Sequence, residues 1–253
     1  MGQFHFHDRF SKTMGMVLGE IKASFAPAKG SIRILDLPAG AGRLTDSLRA
    51  EGFSVVSADI NRVRGDYVFA DMNSPLPFEN ETFDVVVSLE GIEHILNPSR
   101  FVSEVSRMTK RGGTIILTTP NISCFYSRLM FMCTGNFFQF WPTQRFVNVA
   151  REETFDYGHA TPLSWQQIAF LFENQGVTLT KLMGNKTKRR LFLPLYAPFM
   201  LAGFFWSKSR FRRGKKTIHA SPYDSDYYDK AERFSFSRAA MLSRNIIMVF
   251  RKR

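Results

Sequence analysis

Hydrophobic residues recur along this chain at spacings that change from one segment to the next. Residues 8–25 place apolar side chains three or four positions apart, from Phe10 to Phe25, which predicts an amphipathic helix. Short apolar runs rich in β-branched residues follow, and they alternate with helical patterns. The run FDVVVSL contains three consecutive Val, which is typical of a strand buried on both faces. This alternation predicts an α/β fold built on a parallel, doubly wound sheet.

The strands before residue 121 are predicted in the runs IRILDL, FSVVSADI, DYVFADM, FDVVVSL and GGTIILTTP. Helices are predicted from Leu44 to Ala50 and in SRFVSEVSRMTK, where Ser99 would cap the first turn. A later helix is predicted in SWQQIAFLFENQG, with Ser164 as its cap and Gly176 as its stop. The runs VTLTKLM and SRNIIMVFRKR complete the predicted strands.

A long irregular stretch separates the fifth strand from the later helix. Residues 121–160 are rich in Phe and are too long for an ordinary connection, so we expect a substrate-facing insertion. The chain of 253 residues suits one large domain, and we expect residues 1–253 to form a single domain with this insertion and a C-terminal appendage.

Charge is distributed unevenly along the chain. Residues 1–180 carry a balance of −2, whereas residues 181–253 carry +14. Any anionic partner is therefore expected to bind the last segment. Nothing at the N-terminus has the apolar run of a signal peptide, which favours a cytoplasmic protein.

Most of the surplus charge surrounds an uncharged run in residues 186–216. Leu191 to Trp206 contain no charged residue, and a helix of that length spans about 24 Å, short of the roughly 30 Å that a bilayer core requires. Three interpretations remain for the segment: a helix on an anionic membrane surface, a lid over the active site, or a homodimer interface. The flanking Lys and Arg residues favour the membrane surface, peripheral on the inner face. Nucleic acid is less favoured, because a long apolar run reads phosphates poorly.

The run ILDLPAGAGRLTDSL has the order of strand, acidic residue, Gly-rich loop and helix. Gly40 and Gly42 allow a ligand to approach the backbone, and the following helix offers free N–H groups. Asp36 precedes the loop, which suits a ligand that carries an ammonium group there. Two further acids follow the next strands: Asp59 suits the hydroxyls of a ribose, and Asp71 with Met72 suits an adenine edge.

With these motifs the chain resembles the class I S-adenosylmethionine-dependent methyltransferases. Residues 32–121 carry the resemblance, which is nearest to the branch of ubiquinone-pathway and bacterial glycan O-methyltransferases. The resemblance implies a Rossmann-like sheet of seven strands and S-adenosylmethionine as the cofactor. It further implies that Asp36, Gly40 and Gly42 contact the methionine end of the cofactor. Asp59 would contact the ribose, and Asp71 with Met72 would contact the adenine. Pro38 replaces the first glycine of the family's loop and removes one N–H.

A second candidate site lies in SLEGIEHI, where the fourth strand ends. Ligands of open α/β sheets bind at the carboxyl ends of the strands, which makes Glu90, Glu93 and His94 candidate catalytic residues. His94 is the best candidate base for removing a hydroxyl proton. Alternatively these residues, with His159, hold a divalent metal ion, as in the metal-dependent RNA 2′-O-methyltransferases of the family. A purely structural role for the loop is the third possibility.

Three functional hypotheses follow from these residues. The first is an O-methyltransferase that acts on a small-molecule, glycan or lipid-linked hydroxyl. The second is a metal-dependent RNA 2′-O-methyltransferase. The third is a partner protein that binds the cofactor and has no catalytic activity.

Overall fold

The described residues of the chain build one seven-stranded sheet. A computed structural model describes residues 3–140, 158–185, 193–217 and 222–253, so residues 141–157 of the insertion and the first basic cluster of segment 186–216 lie outside the described residues. The strand order is β3-β2-β1-β4-β5-β7-β6. The strands are β1 Arg33–Asp36, β2 Ser54–Asp59, β3 Val68–Phe69, β4 Phe83–Leu89, β5 Thr109–Pro120, β6 Val177–Gly184 and β7 Asn245–Lys252.

The direction of β7 departs from the parallel sheet that the sequence predicts. β7 pairs antiparallel with β5 on one side and with β6 on the other, while β1, β2, β3, β4 and β5 pair in parallel. The expected seven-stranded, Rossmann-like α/β architecture is confirmed, but its sheet is mixed. Because β7 is antiparallel, its first residues lie at the edge where the parallel strands end.

Helices flank the sheet on both faces. They are α1 Gln3–Phe25, α2 Arg43–Ala50, α3 Pro98–Met108, α4 Phe125–Thr134, α5 Trp165–Glu173, α6 Leu193–Thr217, α7 Pro222–Ser235 and α8 Arg238–Leu242, with short 3-10 turns at Ala26–Ser31 and Ile92–His94. Helix α4 lies within the insertion predicted to be irregular, so the described part of that insertion is partly helical.

Two helix caps show how local sequence sets the boundaries. Ser164 caps α5 as predicted, and it forms a reciprocal capping box with Gln167. The predicted cap of α3 is wrong by two positions. Asn97, not Ser99, accepts the N–H of Arg100 through its side chain, because Pro98 occupies the first helical turn, where its missing N–H costs nothing.

The third strand is much shorter than the predicted run DYVFADM. It ends at Phe69, and the chain turns immediately afterwards. The carboxylate of Asp71 accepts the Asn73 N–H at 2.9 Å and the Ser74 hydroxyl at 3.0 Å. These local hydrogen bonds offer the backbone an alternative to the sheet ladder.

Alternate residues of the central strands bury opposite faces of the sheet. In β4, Val86 belongs to the core cluster shared with α3 and α5, whereas Val85 and Val87 belong to the cluster shared with α1 and α2. All three Val side chains are fully buried. This confirms the prediction that β4 is covered on both faces, and it leaves the strand ends as the place for a ligand.

Helix α6 covers most of the segment with a basic and apolar composition. It is one helix of 25 residues with Pro198 inside it. Tyr196 faces the protein, where its ring packs against Phe125 of α4 with centroids 4.6 Å apart. Among the residues that the structure describes, no helix is both long enough and apolar enough to cross a bilayer.

Candidate active site

The carboxyl edge of the sheet collects the acidic residues that the sequence singled out. The strand order reverses between β1 and β4, which is where open α/β sheets bind ligands. Asp36 is the last residue of β1 and Asp59 is the last residue of β2. Glu90 directly follows β4. The three strand ends are neighbours, so these side chains belong to one region of the molecule.

The glycine loop after β1 depends on two positions with left-handed backbone. Gly40 has φ +52° and Gly42 has φ +78°. A Cβ on Gly42 would lie 2.3 Å from Arg64 Nη1 and 2.6 Å from Tyr67 Oη, so both side-chain ends would have to move, and the positive φ itself favours glycine there. A Cβ on Gly40 would meet nothing within 4 Å. Gly42 therefore closes the loop onto the protein, and Gly40 borders open space.

Asp36 is buried in a small network of hydroxyl groups. Thr45 Oγ1 donates to Asp36 Oδ2 at 2.7 Å and lies 2.9 Å from the Ser57 hydroxyl. Burial raises the pKa of Asp36 to about 7, and the charge of Asp59 acts in the same direction against the hydrogen bonds from Thr45. A cationic ligand group beside Asp36 would favour the ionised carboxylate.

Asp59 links the second strand to the glycine loop. Its Oδ2 atom accepts the N–H of Gly40 at 2.8 Å, and its Oδ1 atom accepts the N–H of Asn61 at 2.8 Å. Both oxygens retain lone pairs for a ligand, since each carboxylate oxygen accepts more than one hydrogen bond. Met72 is half-buried and packs against the core below this edge.

The loop after β4 begins with a strained residue. Glu90 has φ +50°, a left-handed backbone that is uncommon for any residue other than glycine. Its Oε1 atom accepts the Thr118 hydroxyl at 2.6 Å, and its Oε2 atom accepts the side-chain amide of Asn245. Burial raises the pKa of Glu90 to about 7. Glu90 thereby fastens this loop to the ends of β5 and β7.

Glu93 is completely buried at the same edge. Its Oε2 atom accepts the Thr119 hydroxyl at 3.1 Å, while its Oε1 atom has no hydrogen-bond partner in the described part of the chain. Burial, followed by the charge of Glu90, raises the pKa of Glu93 well above its ordinary value. An unpartnered buried carboxyl oxygen of this kind requires an explanation, such as a group that binds there.

Three residues converge into a cluster that we name the Glu93–His94–His159 cluster. One ligand atom from each residue lies within 4.8 Å of the others. The two imidazole rings meet edge to face with centroids 4.8 Å apart. The ring of His159 is held by a 2.7 Å hydrogen bond between its Nδ1 atom and the Gln139 carbonyl. Glu90 is not part of this cluster, because its carboxylate binds Thr118 and Asn245.

The glycine loop and the loop after β4 are in direct contact. A Cβ on Gly91 would lie 2.6 Å from Pro38 Cδ and 2.9 Å from Ser88 Oγ. The close approach of Gly91 and Pro38 joins the two loops at the switch point. The predicted cofactor residues and the predicted catalytic residues thus lie in adjoining loops.

Several residues of the site had no predicted role. Thr118 and Thr119 lie near the end of β5 and donate hydrogen bonds to Glu90 and Glu93, while Asn245 begins β7 and donates to Glu90. The signal in the sequence is a pair of hydroxyl residues that follows the apolar run IIL near the end of the strand. Nothing local marks Asn245, because its position depends on the antiparallel direction of β7.

Arg244 supports the Glu93–His94–His159 cluster through Gln139. The Arg244 side chain donates to Gln139 Oε1 from Nε at 2.9 Å and from Nη2 at 2.6 Å. Gln139 in turn holds His159 through its backbone carbonyl. Arg244 therefore connects the start of β7 to the imidazole of His159.

Comparison with known proteins identifies the family of this chain. Residues 9–182 match a family model described as "Methyltransferase domain". The chain belongs to this methyltransferase family. The match covers α1, the glycine loop, the loop after β4 and the strands up to β6, so it contains both adjoining loops of the site.

Relatives of the methyltransferase include enzymes of quinone biosynthesis. It is 36% identical over 113 residues to a demethylmenaquinone methyltransferase of Clavibacter sepedonicus, covering 38% of this chain and 45% of that protein. It is 27% identical over 150 residues to a ubiquinone biosynthesis O-methyltransferase of Rhizobium etli, covering 53% of this chain and 60% of that protein. The chain spans about half the length of the curated relatives it matches.

The fold of the methyltransferase is also that of a solved relative. A SAM-dependent methyltransferase from Archaeoglobus fulgidus superposes with a TM-score of 0.57 at 16% identity, covering 100% of both chains. At this identity the superposition shows the fold. With the family match, it confirms the class I assignment, and the cofactor is S-adenosylmethionine.

The polar groups of the site fit this cofactor. S-adenosylmethionine carries an ammonium group, a carboxylate, a ribose diol and an adenine. The strand ends provide buried carboxylates at Asp36 and Asp59, and open space adjoins Gly40. Carboxylates match the ammonium group and the diol, so the chemistry of the residues agrees with the ligand.

Proposed function

We propose that this methyltransferase methylates a hydroxyl group of a small-molecule, glycan or lipid-linked acceptor. The observation that carries the proposal is the Glu93–His94–His159 cluster, whose Glu93 and His94 lie in the loop adjoining the glycine loop. An O-methyltransferase needs a proton acceptor beside the place where its cofactor presents the methyl group. The ubiquinone biosynthesis O-methyltransferase of Rhizobium etli supports a hydroxyl acceptor.

The cofactor would be held by the ends of the first three strands. We assign Asp36, Gly40 and Gly42 to its methionine end, with the carboxylate of Asp36 facing the ammonium group. Asp59 would accept hydrogen bonds from the ribose diol. Asp71 and the backbone of Met72 would flank the adenine. When bound, S-adenosylmethionine supplies an electrophilic methyl group on a sulfonium.

A side chain of the loop after β4 would accept the proton of the acceptor hydroxyl. His94 is the base in this proposal, because a neutral imidazole nitrogen can accept a proton. Glu93 lies within 4.8 Å of His94 and provides a buried carboxyl group to stabilise the imidazolium that forms. Glu90 fixes the loop through Thr118 and Asn245 and thereby positions both residues.

The test combines binding with turnover. Calorimetry with S-adenosylmethionine and with its demethylated product should show binding, and labelled methyl groups should be transferred to hydroxyl compounds in cell-envelope lipid and glycan fractions. The variant His94→Gln should retain cofactor binding and lose at least tenfold in turnover. The exposed neighbour Leu96 in the same loop provides the control, and Leu96→Ala should behave as the wild type.

The results separate the hypotheses. Cofactor binding without transfer to any lipid or glycan fraction, and without transfer to RNA, would replace the proposal with the non-catalytic partner protein. If His94→Gln retained full turnover, the proposed base would be wrong.

A metal-dependent reaction on an RNA 2′-hydroxyl is the second candidate. The observation that favours it is the Glu93–His94–His159 cluster, whose nitrogen and oxygen atoms suit a divalent ion. A bound cation would satisfy the unpartnered Oε1 atom of Glu93 and keep its carboxylate ionised. It would lower the pKa of the acceptor hydroxyl and so assist loss of its proton.

The metal-dependent candidate has its own test. Equilibrium dialysis should find one divalent ion per chain in the wild type and none in His159→Ala. A chelator should abolish transfer to RNA, and RNA binding should weaken steeply with salt. An enzyme that remains fully active after the chelator has removed every divalent ion would exclude this candidate.

A further inference from the structure

Helix α6 presents a large apolar surface to solvent. Leu195, Phe199, Leu201, Phe205 and Trp206 are each between 60% and 71% exposed, and we name these five side chains the outer face of α6. Contiguous exposed apolar patches of this kind mark interaction sites, since isolated domains rarely tolerate them. None of the candidate cofactor or catalytic residues lies on this surface.

The opposite side of the helix is attached to the protein. Tyr196 packs against Phe125 of α4, and the Phe204 ring contacts Phe236 with centroids 4.9 Å apart. Phe211 packs against the main core cluster. Because α6 is fixed through this inner side, the outer face points away from the body of the domain.

Charge changes along the axis of the same helix. After Trp206 the exposed residues include Lys208, Arg210 and Arg212, and the helix contains no acidic residue from Leu193 to Thr217. The first half of α6 is therefore apolar and its second half is cationic. This order suits a surface that is apolar inside and anionic at its boundary, which is a bilayer with anionic headgroups.

We propose that the outer face of α6 docks the methyltransferase on an anionic lipid bilayer. The apolar half lies in the interface between headgroups and acyl chains, and the cations that follow it bind the headgroups. Leu195 to Trp206 extend over about 17 Å at 1.5 Å per residue, which suits a helix lying in the interface rather than crossing the bilayer. Trp206 stands where apolar and cationic parts meet, the position that Trp favours at membrane boundaries.

Two other occupants are less compatible with these observations. A second copy of the chain would bring a second set of exposed cations with no acidic partner on α6 to meet them. If α6 were a lid, its outer face would have to point toward the active site. The side of α6 that contacts the protein is instead the side that carries Tyr196.

The position of α6 connects docking to the substrate class. Tyr196 rests on α4, which begins five residues after β5, and the end of β5 holds Glu90 and Glu93 through Thr118 and Thr119. Resting on the proposed methyl transfer, this neighbourhood favours a lipid-linked acceptor that reaches the carboxyl edge from the bilayer.

Vesicle binding tests the docking without any methyl transfer. The full chain is sedimented with vesicles of phosphatidylcholine alone and with vesicles that contain about 30% phosphatidylglycerol. We expect binding to the anionic vesicles and at least tenfold weaker binding to the neutral ones, decreasing with salt. Trp206 fluorescence should shift to the blue on binding, and Trp206→Phe should lose that shift.

Matched variants separate the apolar and cationic parts. Phe199→Ala with Phe205→Ala and, separately, Lys208→Gln with Arg210→Gln and Arg212→Gln should each weaken vesicle binding at least tenfold. Phe170→Ala changes an exposed apolar residue of α5, and Arg62→Gln with Arg111→Gln removes exposed cations elsewhere. These control variants should bind as the wild type. Cofactor affinity of every variant, measured by calorimetry, reports that it is folded.

Each alternative has a distinct outcome. Vesicle binding unchanged in both α6 variants would overturn the proposal. The proposal would also be overturned if the wild type formed a dimer without lipid and did not sediment with vesicles, while the apolar variant was a monomer. RNA binding that is lost in the cationic variant, with no vesicle binding in the wild type, would assign the surface to nucleic acid. Failure of vesicle binding while a water-soluble hydroxyl compound is still methylated would overturn docking and retain the proposed function.

Discussion

Replacement of Asp36 by Asn should change how the stability of the protein depends on pH. Burial raises the pKa of Asp36 to about 7 from an ordinary value of 3.8. Between these values the unfolded chain has released the proton of Asp36 while the folded chain retains it. The folded state then binds more protons, so its stability falls as pH rises, by about 1.4 kcal/mol per pH unit for one group.

The magnitude follows from the width of this pH interval. From pH 4.5 to pH 8 the wild type should lose about 3 kcal/mol of unfolding free energy because of Asp36 alone. Asp36→Asn retains an oxygen that can accept from Thr45 and has no proton to release. The difference in unfolding free energy, variant minus wild type, should therefore increase by about 3 kcal/mol over that interval. Titrating groups that do not interact with Asp36 occur in both proteins and cancel.

Urea unfolding at a series of pH values measures this difference. Asp84 provides a matched control: burial opposes ionisation there, but the hydrogen bonds from Lys110 and the Arg33 N–H outweigh it and lower the pKa of Asp84. The stabilisation by Asp84 is lost only as pH falls through that lowered pKa, so Asp84→Asn minus wild type should stay level from pH 5 to pH 8. A level difference for Asp36→Asn as well would refute the reasoning.

Four further variants test the site and the core. Asp59→Ala should raise the Kd for S-adenosylmethionine by about 10- to 100-fold in calorimetry, since hydrogen bonds to a charged group contribute about 1.5–3 kcal/mol each; the exposed Asp66→Ala should not. Glu93→Gln should lower methyl transfer at least tenfold while the unfolding free energy falls by no more than about 1 kcal/mol. Phe172→Ala should lower the unfolding free energy by about 3–5 kcal/mol, because this buried ring packs against Phe250 with centroids 4.2 Å apart. Ser164→Ala should cost about 1 kcal/mol in urea unfolding through loss of the α5 cap. A Phe172→Ala protein as stable as the wild type, or unaltered cofactor affinity in Asp59→Ala, would contradict the structure.

Much of the fold follows from local sequence. Three consecutive Val in β4 predicted a strand buried on both faces, and Ser164 predicted the start of α5, because both signals act within a few residues. The direction of β7 was not predictable in this way. An apolar strand such as NIIMVF has the same pattern whether it runs parallel or antiparallel to its neighbours, so its direction depends on the path of the chain between β6 and β7.

The candidate site was predictable residue by residue but not as a set of contacts. Asp36, Asp59, Glu93 and His94 were recognised because each lies at or just after the end of a predicted strand. Glu90 was grouped with Glu93 and His94 because all three lie where the fourth predicted strand ends. Its left-handed backbone and its hydrogen bonds to the ends of β5 and β7 separate it from the Glu93–His94–His159 cluster, and these partners are distant in sequence.

The position of β7 between β5 and β6 determines when the sheet can be completed during synthesis. Residues 245–252 are translated after the six other strands, yet they pair with β5 on one side and β6 on the other. Until they leave the ribosome, β6 has no strand beside it in the described sheet and Glu90 lacks the amide of Asn245. A nascent chain can therefore form the glycine loop early, while the loop after β4 acquires its final support only after β7 has been translated.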